Sequence, residues 1–171
     1  NFEQILGDKS TNVGKFINDS LAALQQIENN FDPTNRALYL SRLSTLSKQF
    51  QNMNGEIDRE IKIVNDSMSA EATQINNILN SISNINSQLV SSHASDNPEL
   101  LDQREGLVQE LAKYFNFTAT TNDAGVMDIS LSNGFSLLGG GTALEFTTFT
   151  NPSNPAYLSI GVEKNSTTID V

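Results

Sequence analysis

One stretch of the chain, between Leu43 and Leu89, repeats apolar residues at steps of three and four. Because an α-helix turns once every 3.6 residues, this spacing places the apolar side chains on one helical face. The repeat passes through Gly55, so it predicts one continuous helix of roughly 60 residues and about 90 Å. Such lengths are unusual in compact domains and typical of bundled helices. We call this stripe the apolar seam, and its members are Leu43, Leu46, Phe50, Met53, Ile57, Ile61, Val64, Met68, Ile75, Ile78, Ile82, Ile85 and Leu89.

Two shorter helices are predicted to flank the long one. The first runs over about Ser10–Asn30, and Asp32 then caps the long helix, with Pro33 at its first position. The third begins at Pro98, after a polar break, and extends to about Asn116. Short connections make both helices antiparallel to the long helix.

The middle of the apolar seam, from Ile57 to Met68, is only thinly covered by these predicted neighbours. Each buried Leu or Ile side chain contributes roughly 1.5–3 kcal/mol, whereas an exposed apolar stripe promotes aggregation. We therefore expect that further segments of a longer parent protein, or neighbouring subunits, complete the bundle there. The seam is thus the predicted packing and assembly surface, and we expect the chain to be a fragment lacking both terminal regions of its parent.

The apolar period changes from helical to alternating after Asn116. Asn133-Gly134 is typical of a two-residue hairpin turn, in which both residues need a positive φ. The last residues, Ile169 to Val171, also resemble part of a strand. The other predicted strands are Phe117–Thr121, Val126–Ser132, Phe135–Leu138, Ala143–Phe149 and Tyr157–Glu163.

These patterns predict an α+β protein with two domains. Residues 1–116 are expected to form an elongated antiparallel helical bundle or rod, which contains one very long helix and lacks its terminal helices. Residues 117–171 are expected to form a small antiparallel β domain that is incomplete at its C-terminus. About 55 residues are marginal for an independent core.

Charge and cysteine content exclude several functional classes. The formal net charge is -10, with only ten Lys and Arg residues, whereas binding to nucleic acid requires clustered cations. The chain has no cysteine, which excludes disulfides, thiolate metal sites and a cysteine nucleophile. No apolar run approaches the roughly 18 residues that span a bilayer. We therefore expect neither nucleic acid nor a membrane as a partner.

No group of residues predicts catalysis, a cofactor or a metal ion. His93 is the only histidine, and nothing marks a nucleophile near it. Gly139–Gly141 precede a predicted strand, whereas a phosphate-binding P-loop continues through Gly-Lys-Ser/Thr into a helix. Asp102 and Glu105 share a predicted helix face with Arg104, which is typical of a solvated or ion-paired surface. The predicted catalytic, cofactor-binding and metal sets are therefore empty, and the chain is predicted not to be an enzyme.

A more specific signal lies at Leu100, Leu101, Asp102, Gln103 and Arg104, a motif followed directly by Glu105-Gly106-Leu107-Val108-Gln109-Glu110-Leu111. Downstream of it come a glycine-containing turn, a short strand, an Asn-Gly pair and a strand end, at Asp123–Gly125, Val126–Leu131, Asn133-Gly134 and Leu137–Gly139. Upstream, the repeated Ile-Asn pairs are Ile75-Asn76 and Ile85-Asn86.

In these features the chain resembles the family of flagellar hook-associated protein 1, over about residues 10–145. It departs from the family pattern at Pro98-Glu99, and Gly106 falls inside the predicted third helix. The heptad-rich terminal segments of the family have no counterpart in this chain. The five motif residues are the most specific part of the resemblance, since apolar helical repeats occur in many proteins.

The resemblance implies a structural axial component of the bacterial flagellum, which forms the junction between hook and filament through lateral subunit packing. It implies export by the flagellar type III system and an extracellular location in the flagellum. The implied partners are copies of itself in a ring, with hook protein and hook-associated protein 3 as axial neighbours. An export chaperone would bind through the missing C-terminal region.

Two other interpretations stay open at this point. Another flagellar axial protein, such as hook-associated protein 3, the filament cap or flagellin, would share the heptad repeats and the acidic, cysteine-free composition. A secreted coiled-coil adhesin-like binding protein belongs to a different class. A seam that continues into further terminal helices would favour an axial protein, whereas a cleft with convergent polar groups in the β domain would favour binding.

Overall fold

The computed structural model describes residues 13–91, 97–164 and 167–170. These residues form a very long helix, two shorter helices and antiparallel strands, so the predicted α+β class is confirmed. The chain forms two compact units, residues 1–62 and residues 63–171. The predicted division into domains at residues 116 and 117 is a separate proposal about folding and function, and it stays a prediction.

Three helices are found in the described residues: α1 (Val13–Asn29), α2 (Pro33–Ser91) and α3 (Pro98–Leu111). The predicted long helix is α2, which contains 59 residues and continues through Gly55. The predicted start of the first helix at Ser10 lies outside the described residues, as does His93.

The start of α2 is fixed by a side-chain cap. Asp32 Oδ1 accepts a hydrogen bond from the backbone N–H of Asn35 at 2.9 Å. Pro33 occupies the first helical position, where its missing N–H has no intrahelical acceptor. Both features agree with the sequence-based prediction.

The predicted end of α3 at Asn116 is wrong, because the helix ends at Leu111. The N–H groups of Lys113 and Tyr114 donate to carbonyls only three residues earlier, at 3.1 and 3.0 Å. These shorter bonds tighten the last turn and end the α-helix. Phe115 therefore belongs to the β region and not to a helical face.

The helices α2 and α3 run antiparallel, as predicted. Arg104 Nη1 donates to Asn86 Oδ1 at 2.9 Å, and Gln74 Nε2 donates to Glu110 Oε1 at 3.3 Å. Later residues of α3 therefore contact earlier residues of α2.

Two antiparallel sheets follow α3. The first has the strand order β1-β2-β3-β4, and the second has the order β5-β6-β7. The first sheet contains β1 (Phe117–Thr121), β2 (Met127–Leu131), β3 (Ser136–Gly139) and β4 (Thr142–Ala143). The second contains β5 (Glu145–Thr150), β6 (Leu158–Lys164) and β7 (Thr167–Asp170).

The single strand predicted at Ala143–Phe149 is wrong, because Leu144 separates β4 from β5. The N–H of Leu144 donates to the carbonyl of Leu137 at 2.8 Å, which keeps this residue on the first sheet. The chain passes to the second sheet immediately afterwards. The alternating pattern could not show this transfer, since both strands present the same kind of residues.

The hairpin predicted at Asn133-Gly134 is found, but the predicted two-residue turn is wrong. The N–H of Gly134 donates to Leu131 O, and Leu131 N donates to Phe135 O, both at 2.8 Å. Three residues therefore lie between the last paired positions. Gly134 has a φ of 84°, and in a three-residue loop one glycine in this conformation suffices.

The main core lies within residues 63–171, where both sheets pack against α2 and α3. Phe115 stacks on Phe146 with ring centroids 5.6 Å apart and meets Phe117 edge-on at 5.9 Å. The buried residues of this core are Ala72, Ile75, Ile78, Leu79, Ile82, Leu111, Met127, Ile129, Leu137, Leu138, Phe146 and Val162.

Candidate assembly surface

The apolar seam divides into an internal half and an open half. Its C-terminal members are buried within the chain, namely Ile75, Ile78, Ile82, Ile85 and Leu89. Its N-terminal members are half-buried or exposed, and Phe50 and Val64 keep 45% and 47% of their surface in contact with solvent. The half-buried members are Leu46, Met53, Ile57, Ile61 and Met68, and Leu43 is exposed. Among the described residues, the seam is therefore fully buried only in its second half.

Residues 13–62 enclose few apolar side chains completely. Among the described residues of this unit, Ala23 is the only buried apolar side chain. Ser20 is also buried, and its hydroxyl donates to Phe16 O at 2.8 Å. In stable proteins the apolar face of a helix is covered by another element of the chain or by a partner, and it does not stay in contact with water. The large apolar side chains left exposed here are Ile17, Leu21, Leu24, Phe31, Leu40, Leu43 and Phe50.

Phe31 is an exposed residue that the sequence analysis missed. It lies between α1 and α2 and keeps 79% of its surface in solvent, more than any other large apolar residue described. It lines a shallow depression of about 320 Å³ together with Arg36 and Leu40. Phe31 lies outside both helical repeats, so the periodicity gave no signal for it.

The five motif residues occupy different environments on α3. Leu100 and Leu101 are half-buried, and Asp102 and Gln103 are exposed. Arg104 is 5% exposed and is therefore the member that the fold encloses. The expectation that Arg104 lies on a solvated face with Asp102 and Glu105 is wrong for Arg104 alone.

Arg104 is held by neutral acceptors. Its Nη1 donates to Asn86 Oδ1 at 2.9 Å and to the carbonyl of Gly125 at 2.6 Å. Burial lowers the pKa of the Arg104 guanidinium below its ordinary value, and the charge of Glu105 acts in the opposite direction. A buried arginine keeps its charge, so these hydrogen bonds are needed to offset the cost of removing the guanidinium from water.

Asn86 joins this arginine to β2. Its Nδ2 donates to Met127 O at 2.8 Å, and its Oδ1 accepts from Met127 N at 3.1 Å. The bond from Asn122 N to Val126 O makes that pair hydrogen-bonded, so the polar groups of Met127 point away from β1. Asn86 thus takes the place of a neighbouring strand.

Two further asparagines of α2 make the same kind of bridge. Asn76 donates to Phe146 O at 2.8 Å and accepts from Phe146 N at 2.7 Å. Asn65 donates to Ala156 O and accepts from Leu158 N, both at 3.0 Å. We call Asn65, Asn76 and Asn86 the asparagine stripe. Its spacings of eleven and ten residues are close to the roughly 10.8 residues of three helical turns, so the three side chains lie on one side of α2. They bond to the backbone of β2, β5 and β6 and of the turn before β6.

The asparagine stripe also provides hydrogen-bond partners for backbone groups at the edge of a sheet. Phe146 belongs to β5, which is an edge strand of the second sheet. The bond from Asn151 N to Tyr157 O fixes the register, so the Phe146–Val162 pair is not hydrogen-bonded and the polar groups of Phe146 point outward. Without Asn76 these groups would be unpaired next to the core, at a cost of about 1–3 kcal/mol each.

Sequence reasoning noted the Ile-Asn pairs at residues 75–76 and 85–86 but did not assign their function. In each pair the isoleucine enters the core and the asparagine bonds to a strand. An asparagine directly beside a buried seam position is the signal that could have predicted this interface.

Gly139 is the last residue of β3, and Gly140 and Gly141 form the turn between β3 and β4. Gly140 and Gly141 have φ values of 58° and 81°. The N–H of Gly140 donates to Asp128 Oδ1 at 3.1 Å, and Ser83 Oγ donates to Gly141 O. The loop therefore bonds to a carboxylate and a hydroxyl of its own chain.

The described ranges contain no group of three His, Asp or Glu side chains positioned to hold a metal ion. None of the described helices combines the length and apolar character needed to cross a membrane.

The comparisons with known proteins agree with the sequence resemblance. A family profile described as the flagellar hook-associated protein FlgK helical domain matches residues 1–171. Flagellar hook-associated protein 1 of Salmonella typhimurium is 29% identical over 164 residues, and that of Escherichia coli K12 is 28% identical over 164 residues. Each alignment covers 92% of this chain and 30% of the relative, so the chain spans less than a third of their length.

A solved structure is also similar to this chain. It is the flagellar hook junction protein FlgK from Burkholderia pseudomallei, with a TM-score of 0.79 and 28% sequence identity. The match covers 88% of this chain and 27% of that protein.

Proposed function

This chain belongs to the family of the flagellar hook-associated protein FlgK helical domain, and from this premise we propose that it is a structural element of the junction between flagellar hook and filament. The observation that carries the proposal is the open half of the apolar seam. Residues 13–62 bury only one apolar side chain fully and leave seven large apolar side chains exposed, so this part of the chain has apolar surface available for packing against a further surface.

The proposed role is lateral packing without catalysis. The N-terminal seam members, from Leu43 to Met68, pack against further helices of the parent protein or against neighbouring subunits. The helices of residues 1–116 carry these contacts, and the strands of residues 117–171 cover the second half of the seam. The relatives are named as flagellar proteins, which supports this assignment.

The finer assignments follow the family. We propose copies of the same protein in a ring as lateral partners, with hook protein and hook-associated protein 3 as axial neighbours. An export chaperone binds a region outside this chain. The protein leaves the cell through the flagellar type III system and acts in the extracellular flagellum.

The first test removes the gene that encodes this chain. We expect hooks without filaments, with filament subunits shed into the medium, because the junction that joins the filament to the hook is absent. Electron microscopy of the cells and analysis of the medium measure both outcomes. Filaments of normal number and length in the deletion strain would contradict the junction role.

A matched pair of variants connects this role to the seam. Leu43→Asp places a charge on the open seam, whereas Ser44→Asp places the same charge on the neighbouring exposed position. Complementation of the deletion with Leu43→Asp should leave most cells without filaments, and Ser44→Asp should restore them. If both variants restore filaments equally well, the open half of the seam is not required for assembly.

A further inference from the structure

Two Asn-Gly pairs occur in the chain, Asn54-Gly55 and Asn133-Gly134. In such a pair the backbone nitrogen of the glycine can attack the side-chain carbon Cγ of the asparagine, because glycine has no Cβ to obstruct the approach. The bond from the glycine nitrogen to Cγ forms, the Cγ–Nδ2 bond breaks, and the amide proton of the glycine leaves with Nδ2 as ammonia. Water then opens the cyclic imide to aspartate or isoaspartate, with no oxidation or reduction. The two pairs share this local chemistry, so the fold decides which of them reacts.

The first pair lies in the interior of the long helix α2. The N–H of Gly55 therefore belongs to the helical hydrogen-bond ladder, and the attack requires the helix to open at this point. Asn54 Nδ2 donates to Asp58 Oδ2 at 3.0 Å. This carboxylate holds the nitrogen that has to leave, and its charge opposes the negative charge that develops on Oδ1 of Asn54 during the attack. Both the backbone and the side-chain bond thus protect Asn54.

The second pair lies at the exposed end of the hairpin between β2 and β3. Asn133 Oδ1 accepts a hydrogen bond from the backbone N–H of Phe135 at 3.0 Å. Attack on Cγ moves negative charge onto this oxygen, and a donor already directed at it lowers the barrier. The N–H of Gly134 donates to Leu131 O at 2.8 Å, so the attack also needs this bond to open. A short exposed turn opens at a lower free-energy cost than the interior of a helix.

We propose that Asn133 is a site of spontaneous deamidation, and that the fold directs the reaction to this asparagine in preference to Asn54. The reactants are the side chain, the nitrogen of Gly134 and water. The product carries a new negative charge, and its isoaspartate form adds one backbone atom to the three-residue loop. The lengthened loop no longer matches the spacing set by the bond from Leu131 N to Phe135 O. The inference goes beyond the proposed junction role and does not depend on it.

Incubation of the folded chain in mildly alkaline buffer tests the proposal. Proteolytic digestion and mass spectrometry measure the conversion of each asparagine, since deamidation replaces a side-chain NH₂ with OH and changes the peptide mass. Asn133 should convert about tenfold faster than Asn54, or more, because the helix opens less often than the turn. In concentrated urea the two asparagines should convert at similar rates, since the unfolded chain presents the same Asn-Gly chemistry at both positions.

Asn133→Gln is the matched control, because it keeps a side-chain amide but cannot form the five-membered ring. Isoaspartate in the incubated chain, measured by enzymatic methylation of its carboxyl group, should fall sharply in this variant. Conversion of Asn133 no faster than that of Asn54 in the folded chain would overturn the proposal. An equally large difference between the two asparagines in urea would also overturn it, because the adjacent residues and not the fold would then select the site.

Discussion

Replacing Ile82 with alanine is expected to lower the free energy of unfolding by about 2–5 kcal/mol. Ile82 is 0% exposed and lies in the core between α2 and the strands. The substitution removes several buried carbon atoms and leaves a cavity that the packed neighbours only partly fill. Urea denaturation followed by circular dichroism measures the change as a lower midpoint.

Ile63→Ala is the matched control, because it removes the same atoms from the same helix at a position that is 58% exposed. It should change the free energy of unfolding by no more than about 0.5 kcal/mol. Equal midpoints for the two variants would mean that the seam does not enter the core at Ile82.

Replacing Asn86 with leucine is expected to have a similarly large effect, about 3–5 kcal/mol. The leucine cannot bond to the N–H and C=O of Met127, and Arg104 loses one of its two described acceptors. A buried charge with incomplete hydrogen bonding is among the most destabilising states in a protein interior. Loss of protection of the Met127 amide against hydrogen exchange, together with a lower denaturation midpoint, measures the effect.

Two comparison variants separate the charge from the backbone groups. Asn76→Leu leaves the N–H and C=O of Phe146 unpaired but affects no arginine. It should therefore lower the free energy of unfolding by about 1–3 kcal/mol. Adding Arg104→Met to Asn86→Leu removes the stranded charge and should recover part of the loss. If the double variant is less stable than Asn86→Leu alone, Arg104 does not depend on Asn86.

The long helix was predictable because its signal is local and repeated. The apolar steps from Leu43 to Leu89 and the Asp32 cap depend only on helical geometry, and both appear in the structure. The resemblance based on Leu100 to Arg104 also identified the right family. The early end of α3 at Leu111 was not predictable from its apolar residues, since Phe115 suits a helical face and a sheet core equally well.

The two halves of the seam could not be told apart by sequence. Ile61 and Ile82 have the same spacing and chemistry, yet only Ile82 is buried within the chain. The difference arises because the strands pack over the second half of α2, which is a tertiary contact. The asparagine stripe could not be recognised from the sequence for the same reason. An asparagine on a helix is usually solvated, and only the tertiary position of the strands gives these three side chains their partners.

Methionine oxidation tests most directly whether assembly covers the open half of the seam. The three methionines are Met53 and Met68 in the open half of the seam and Met127 in the core. Peroxide oxidises accessible methionine to the sulfoxide, which peptide mass analysis quantifies. In the chain alone, Met53 should react and Met127 should be protected; in isolated flagella, Met53 should be protected as well. Equal oxidation of Met53 in the free chain and in the flagella would contradict the account.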